Sequence, residues 1–280
     1  MLNVKELFNG DGCKESLPLL QIAGEIAESI GIEAYVVGGF VRDLLMGKPL
    51  NDIDIMVVGD GINFAKHVSK ALGIHKVVPF EKFGTALIPS QPIQIEIASA
   101  RTESYDNHSR KPKQVIYTDL KGDLVRRDFT INAMAVDIRP NHFGNLYDPF
   151  EGIQDLQAKR LITPLDPNET FSEDPLRMMR GAYFASKLSF EIDDECLNSI
   201  KRQVKRIDIV SWERKTTELE KILKTPKPSI GLNILQETGL MKFVFPEIDN
   251  MVGLDQTSEW HHKDIYTHTM QVVDNAANLT

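Results

Sequence analysis

The chain has 280 residues, a net charge of −8 and 42% hydrophobic residues. That length exceeds one ordinary domain, so two or more are expected, with enough apolar content for real cores. The acidic balance argues against indiscriminate coating of nucleic acid, and no apolar run is long enough to cross a bilayer.

The first twelve residues lack a basic-then-apolar leader. Cys13 and Cys196 are too few and too far apart for a disulfide framework or a zinc cluster, so a cytoplasmic protein is expected. In chain order, apolar residues recur at helical spacing over 17–30. An apolar strand, 34–37, runs into Gly38-Gly39, and a short helix follows over 40–46. A second apolar strand ends at Val58 and opens on Asp52 and Asp54. A helix over 63–72 precedes strands near 75–79, 83–88 and 93–98. The polar stretch 105–113, interrupted by Pro112, reads as a loop. From about Asp174 helical patterns dominate, over 175–186, 195–207, 212–223 and 229–238, with Gly231 near a helix edge. The domains expected are a catalytic head over 1–140, a neck over 141–208, a helical body over 209–255 and a further helical piece over 256–280.

Three stretches carry chemistry. At Gly38-Gly39, backbone N–H groups can approach an anion, and the helix N-terminus adds a partial positive charge. Arg42, one turn inside that helix, is placed to reach a bound phosphate. Asp52 and Asp54, at i and i+2 on a strand, share a face. A phosphate cradle followed by paired carboxylates suits a nucleoside triphosphate with Mg²⁺. In the second stretch, Arg126-Arg127-Asp128, arginines suit a triphosphate and a carboxylate accepts from ribose hydroxyls.

The third stretch is Glu173-Asp174-Pro175-Leu176-Arg177-Met178-Met179-Arg180. Asp174 stands at a helix start with Pro175 in the first turn, an N-cap arrangement, and Arg177 follows three residues later. A carboxylate only accepts hydrogen bonds and a guanidinium only donates them. Such a pair matches a base that shows an amino donor beside a ring-nitrogen acceptor, as cytosine and adenine do. Uracil and guanine present the opposite order and leave charged groups unpaired, which is how large discrimination arises. Lys201, Arg202, Lys205 and Arg206 form i, i+4 pairs, either a solvated helix face or a surface for RNA phosphates.

The order strand, Gly-Gly, helix with Arg, strand with Asp-x-Asp resembles the signature of the DNA polymerase β-like nucleotidyltransferase superfamily. Gly38-Gly39-x-x-Arg42-Asp43, Asp52-Ile53-Asp54, the run 126–133 and Glu173-Asp174-x-x-Arg177 resemble its class II branch. That branch holds tRNA CCA-adding enzymes and bacterial poly(A) polymerases. Residues 148–156 resemble its head-to-neck connector, and 212–219 its weaker last motif, a helix bracing the neck.

The resemblance implies a multidomain fold, α/β plus all-α, with a nucleotidyltransferase head followed by helical neck and body. It implies two Mg²⁺ ions held by Asp52 and Asp54, with a third acid on a following strand in support. Glu96 is that candidate, because alternation over 93–97 sets it opposite three isoleucines. Gly38, Gly39 and Arg42 are implied to hold the triphosphate, Arg127 and Asp128 the ribose, and Asp174 and Arg177, with Arg180, the nucleobase. The activity implied is addition of CCA to the 3′ end of tRNA from CTP and ATP. The stretch 105–113 matches a flexible loop that helps the family switch from C to A.

Residues 261–269 resemble the opening of an HD-type phosphohydrolase domain that some bacterial CCA-adding enzymes carry. The defining His-Asp pair is absent, so a truncated chain without hydrolase activity is expected. The nearest rival is poly(A) polymerase, which carries a Gly-Arg-Arg-Phe-like segment where this chain has Phe80-Glu81-Lys82-Phe83. CC-adding and A-adding specialists remain open. A catalytically inactive RNA-binding protein is the rival of another class, and the intact Arg42, Asp52 and Asp54 argue against it.

Overall fold

The computed structural model of the chain describes residues 2–50, 52–106, 109–254 and 264–279, without the side chains of 102–115. The chain divides into two compact units, the first formed by Met1–Ser104 with Pro112–Leu156 and the second by Tyr105–Lys111 with Gln157–Thr280.

The first unit opens with α1 (Ser16–Ile30), β1 (Glu33–Val37), α2 (Gly39–Leu45), β2 (Asp52–Val58) and α3 (Gly61–Ala71). Then come β3 (Val78–Phe80), β4 (Thr85–Ile88), β5 (Gln94–Ser99) and parts of β6 (Arg101–Asp106) and β7 (Ser109–Tyr117), of which 105–111 fall in the second unit. It closes with α4 (Leu120–Val125), β8 (Ala135–Asp137), β9 (Leu146–Tyr147) and most of α5 (Gly152–Ala158). Seven strands form one sheet in the order β3-β4-β5-β2-β1-β8-β9. Only β2 and β5 run parallel; the other pairs are antiparallel.

Strict alternation along the central strands divides the two faces of this sheet. Ile53, Ile55 and Val57 of β2, with Ile95 and Ile97 of β5, join one core with Leu20 and Ala23 of α1 and Phe64 and Val68 of α3. Each fully buried isoleucine there contributes roughly 1.5–3 kcal/mol through area removed from water. The opposite face holds a smaller cluster, Tyr35, Val37, Met56, Leu124 and Ala135, and leaves room beyond it for polar groups. Asp52, Asp54 and Glu96 therefore lie on the face turned away from α1 and α3.

Two expectations change. The stretch read as a loop lies largely in strands, since β6 and β7 pair with each other. Pro112 falls in one of only two strands, both at edges, where a missing N–H is tolerated. The head also extends beyond residue 140, because β9 pairs with β8 and Asp148 accepts from Gly152 N (2.7 Å) and Ile153 N (2.9 Å) to cap α5.

The second unit is helical. It contains β10 (Arg160–Leu161), α6 (Pro167–Glu173), α7 (Leu176–Leu188), β11 (Glu191–Ile192) and α8 (Asp194–Gln203). It continues through α9 (Trp212–Leu223), α10 (Pro228–Glu237), α11 (Met241–Val244), α12 (Pro246–Asp249) and α13 (Ile265–Ala277). Gly231 lies inside α10 rather than at its edge. A Cβ there would stand 2.8 Å from Ile222 Cγ2 and 2.9 Å from Ala182 O, so α10 approaches α7 and α9 closely only because that atom is missing. The basic stripe is interrupted: α8 ends at Gln203, Arg202 donates to Asn168 Oδ1 (2.9 Å) and Arg206 to Ser172 O (2.6 Å). Lys201 and Lys205 remain exposed. The HD-like opening lies partly outside the described residues; from Asp264 onward it is the capped start of α13. No helix among the described residues is long and apolar enough to cross a membrane.

Candidate active site

The parallel register of β2 and β5 sets Asp52 opposite Gln94 and Asp54 opposite Glu96. Neighbouring strands lie about 4.8 Å apart, so Asp54 and Glu96 stand side by side on the polar face, with Asp52 two residues along. Burial pushes the Asp54 carboxyl up to about 6, the Glu96 and Asp52 charges push it the same way, and Arg127 opposes them. Among the described residues, no three His, Cys, Asp or Glu side chains converge closely enough to form a complete metal cage. The donor set is nonetheless all hard oxygen under mutual repulsion, which fits Mg²⁺, an ion commonly held by one or two carboxylates plus substrate phosphates and water.

Gly38 ends β1 and caps α2 at φ +68°, a conformation that favours glycine. A Cβ at Gly38 would lie 2.8 Å from Arg127 Nη1 and 3.9 Å from Asp54 Oδ2. The Gly-Gly turn, the carboxylate strand and the second arginine of the 126–128 run therefore meet at this one backbone position.

Arg127 is held by Asp123, a residue that the motif reading passed over. Asp123 is 1% exposed and pairs with Arg127 Nη2 (2.9 Å) and Arg126 Nη2 (2.7 Å). Burial alone would raise the Asp123 carboxyl, but the two arginines outweigh it and hold it below the usual carboxylate range. Arg127 Nε is buried with no hydrogen-bond partner. The i−3 and i−4 spacing of Asp123 from the arginines was the available signal.

Arg42 is held at the turn by its neighbours. Its side chain is 3% exposed, with Nε and Nη2 donating to Asp43 (2.9 and 2.8 Å) and Nη1 to Asn132 Oδ1 (2.7 Å). A guanidinium committed in this way braces the turn, and its Nη2 lies 3.5 Å from where a Cβ on Gly39 would stand. Asn132 Nδ2 in turn donates to Asp128 Oδ1 (3.0 Å), which also accepts from Phe129 N (2.8 Å). Asp128 is thus buried in a network with the Gly-Gly helix. Thr130 Oγ1 donates to Asp155 Oδ2 (2.6 Å), so α5 secures the same turn.

In the second unit, Asp174 lies between α6 and α7 and accepts from Leu176 N (3.2 Å), close to the expected cap. It also accepts both terminal nitrogens of Arg214 on α9 (2.8 and 3.4 Å), so the weak last motif grips the candidate base reader directly. Arg177 is buried and donates to Thr170 O (3.1 Å) and Glu173 Oε2 (3.0 Å). Arg180 stacks on Phe184, 5.2 Å from the ring centre. Sequence reasoning had placed Arg214 only in a brace, because nothing in spacing alone links positions forty residues apart.

Comparison with known proteins agrees with this architecture. The family described as "Poly A polymerase head domain" matches residues 34–162, and "Probable RNA and SrmB- binding site of polymerase A" matches 189–252. An A-adding tRNA nucleotidyltransferase of Geobacter sulfurreducens is 37% identical over 248 residues, covering 88% of this chain and 28% of the relative. A CCA-adding enzyme of Limosilactobacillus reuteri is 37% identical over 84% of this chain and 57% of its own. Among solved structures, the Thermotoga maritima CCA-adding enzyme complexed with tRNA_CCA superposes with a TM-score of 0.76 at 32% identity, covering 88% of this chain and 56% of that one. An apo form of a CCA-adding enzyme gives 0.79 at 32% identity, over 89% of this chain and 60% of that one. A head with this sheet and this turn is a nucleotidyltransferase head. The chain belongs to the family of tRNA nucleotidyltransferases and bacterial poly(A) polymerases. It spans between about a fifth and three-fifths of the length of the curated relatives it matches.

Proposed function

We propose that this chain is the catalytic portion of a CTP(ATP):tRNA nucleotidyltransferase that adds CCA to the tRNA 3′ end. The observation that carries this reading is the register of Asp54 with Glu96 beside the Gly38 turn. In the reaction, the tRNA 3′ hydroxyl displaces pyrophosphate from the α-phosphate of CTP or ATP. Asp52 and Asp54, with Glu96 beside them, would hold two Mg²⁺ ions, which when bound supply charge neutralisation and activation of the hydroxyl.

The other roles belong to this chain's own groups. Gly38 and Gly39 offer backbone N–H groups to the triphosphate, and Arg42 holds their turn rigid. Arg127, fixed by Asp123, adds positive charge beside Asp54; Arg127 and Asp128 serve the ribose. Asp174 and Arg177, with Arg180, select the base by the donor–acceptor order that cytosine and adenine share. These assignments rest on chemistry, on the family resemblance and on the bonds that orient the groups.

An A-adding specialist is the second reading, and relatives bearing that name support it. Three tRNAs, ending before the first C, after one C and after both, are assayed with each nucleotide and with CTP and ATP together. Stopping after C, C and A supports the first reading. Extension of only the CC-ended tRNA, with ATP alone, moves it to the specialist. Long A tails on any RNA move it to poly(A) polymerase, and no transfer by the full-length protein overturns the enzyme reading.

A further inference from the structure

The row of residues that carries Asp54 continues across the sheet. Asp54 stands opposite Glu96, Glu96 opposite Leu87, and Leu87 opposite Val78 on the edge strand β3. Directly paired residues share a face, so all four side chains leave the sheet on the carboxylate side. Phe80, two residues beyond Val78 and opposite Thr85, lies on the same face. With strands about 4.8 Å apart, Leu87 stands about 5 Å past Glu96 and Val78 about 10 Å past it.

This strip belongs to neither core of the unit. Ala86 and Ile88, the neighbours of Leu87 along β4, join the cluster under α1 and α3. Val78, Phe80 and Leu87 join neither that cluster nor the one around Tyr35. Val78 and Leu87 are half-buried and Phe80 is 47% exposed. A single exposed apolar residue needs no explanation, but three in one strip, in register with crowded carboxylates, form a patch that calls for an occupant.

The occupant follows from the direction of the reaction. In-line displacement sets the entering and leaving oxygens on opposite sides of the phosphorus. Gly38 lies on the β1 side of Asp54, because β1 and β5 flank β2 and a Cβ at Gly38 would stand 3.9 Å from Asp54 Oδ2. A triphosphate drawn to the Gly38-Gly39 turn directs its leaving pyrophosphate toward β1, so the attacking hydroxyl enters from the side of β5 and Glu96. The surface beyond Glu96 on that side is the apolar strip.

We infer that Leu87, Val78 and Phe80 seat the 3′-terminal nucleoside of the acceptor RNA, with its base against Leu87 and Phe80 and its 3′ hydroxyl beside Glu96. An apolar seat meets the face of a base, which every base has, and so places the hydroxyl without selecting the base. That suits an acceptor whose last base changes as addition proceeds, and it leaves selection of the incoming base to Asp174 and Arg177. The inference rests on the reading of the chain as an RNA nucleotidyltransferase and assigns it an acceptor site.

The full-length protein is assayed with ATP and two tRNAs, one ending in CC and one whose last nucleotide has no base. Phe80→Ala, at an exposed edge position and therefore safe for folding, is expected to raise the KM for the CC-ended tRNA about fivefold or more, the scale of losing one base stack. The KM for ATP is expected to stay unchanged. Removing the terminal base should raise the tRNA KM of the parent in the same way and that of Phe80→Ala hardly further, since base and ring are two halves of one contact. Leu87→Ala, with its Tm measured alongside, should repeat the pattern. Additive losses overturn the seat, as does a raised KM for ATP with an unchanged KM for tRNA. Nucleotide addition with parental KM values in both variants removes the seat and keeps the proposed function. If the full-length protein adds nothing, photocrosslinking of a tRNA ending in 4-thiouridine reads the seat alone: adducts on β3 or β4 retain it while the proposed function falls, and adducts elsewhere overturn it.

Discussion

Arg42 Nη1 donates to Asn132 Oδ1 at 2.7 Å, joining two motifs ninety positions apart. The same Asn132 donates to Asp128, and the same Arg42 grips Asp43, so four polar side chains form one chain of hydrogen bonds under the Gly-Gly turn. A buried network of this kind fixes geometry because each member has only one arrangement that satisfies all the others.

Arg42→Ala is expected to cost about 2 kcal/mol of unfolding free energy, since it leaves buried Asn132 and half-buried Asp43 without their donor. Arg42→Lys is expected to recover less than half, because an ammonium cannot fork between Asp43 and Asn132. Urea titrations of the three proteins measure both. Full recovery by lysine would show that charge rather than the fork holds the turn.

Asp54 carries the opposite kind of signature. Its carboxyl is pushed up to about 6 by burial first and by Glu96 and Asp52 next, against the pull of Arg127. Folding therefore favours its protonated form. The stabilisation this provides is complete below the ordinary carboxylate range and is lost as pH rises through 6. At pH 8, without divalent metal, the ionised group opposes folding by roughly 1–3 kcal/mol. Asp54→Asn is expected to raise the Tm at pH 8 in EDTA, with the gain shrinking toward pH 4.5, and to abolish nucleotide addition. Millimolar Mg²⁺ is expected to raise the Tm of the unaltered protein more than that of the variant. A lower Tm for Asp54→Asn at pH 8 would count against carboxylate crowding at this site.

Much of this was legible in sequence wherever a short-range rule applied. Alternation over 93–97 put Glu96 opposite the isoleucines, and the register of β2 and β5 sets it beside Asp54. What escaped were partners brought in from a distance. Asn132 lay inside a quoted motif without an assigned task, and Arg214 stood in a helix read only as a brace; each bonds to a residue whose nearness only the fold reveals. The 105–113 stretch was misjudged for a different reason. Its proline and polar composition signal a loop, but a two-stranded ribbon has edges on both sides and tolerates both. Gly231 was misjudged because a glycine near a helix end usually serves the backbone, whereas here it makes way for Ala182 O and Ile222.

That packing gives a test of the helical unit. Alanine is the better helix former by about 1 kcal/mol in an exposed helix interior. Gly231→Ala would nonetheless place a methyl 2.9 Å from a backbone oxygen and 2.8 Å from Ile222 Cγ2. The expected result is a net loss of about 1–3 kcal/mol, the usual scale of overpacking, read by thermal or urea unfolding. Ile222→Val in the same chain should return little of it, because valine keeps the Cγ2 methyl that the new Cβ meets and leaves Ala182 O in place. A variant more stable than the parent would mean that α10 can move away from α7 freely.

The Asp174–Arg214 pair gives the sharpest separation of specificity from stability. Both side chains are partly exposed, 20% and 35%, and ion pairs in that setting are worth at most about 1 kcal/mol to the fold. If Asp174 reads the base, however, its orientation matters far more than its contribution to folding, since a carboxylate that swings cannot meet an amino donor and exclude a carbonyl. Arg214→Ala is therefore expected to leave the Tm within a few degrees of the parent while the ratio of kcat/KM for CTP over UTP falls about tenfold or more, the scale of losing one oriented polar contact. Arg214→Lys should restore part of the charge without the two-point grip, giving an intermediate ratio with an unchanged Tm. Equal selectivity in all three proteins would remove Arg214 from specificity and leave Asp174 held well enough by Leu176 N alone.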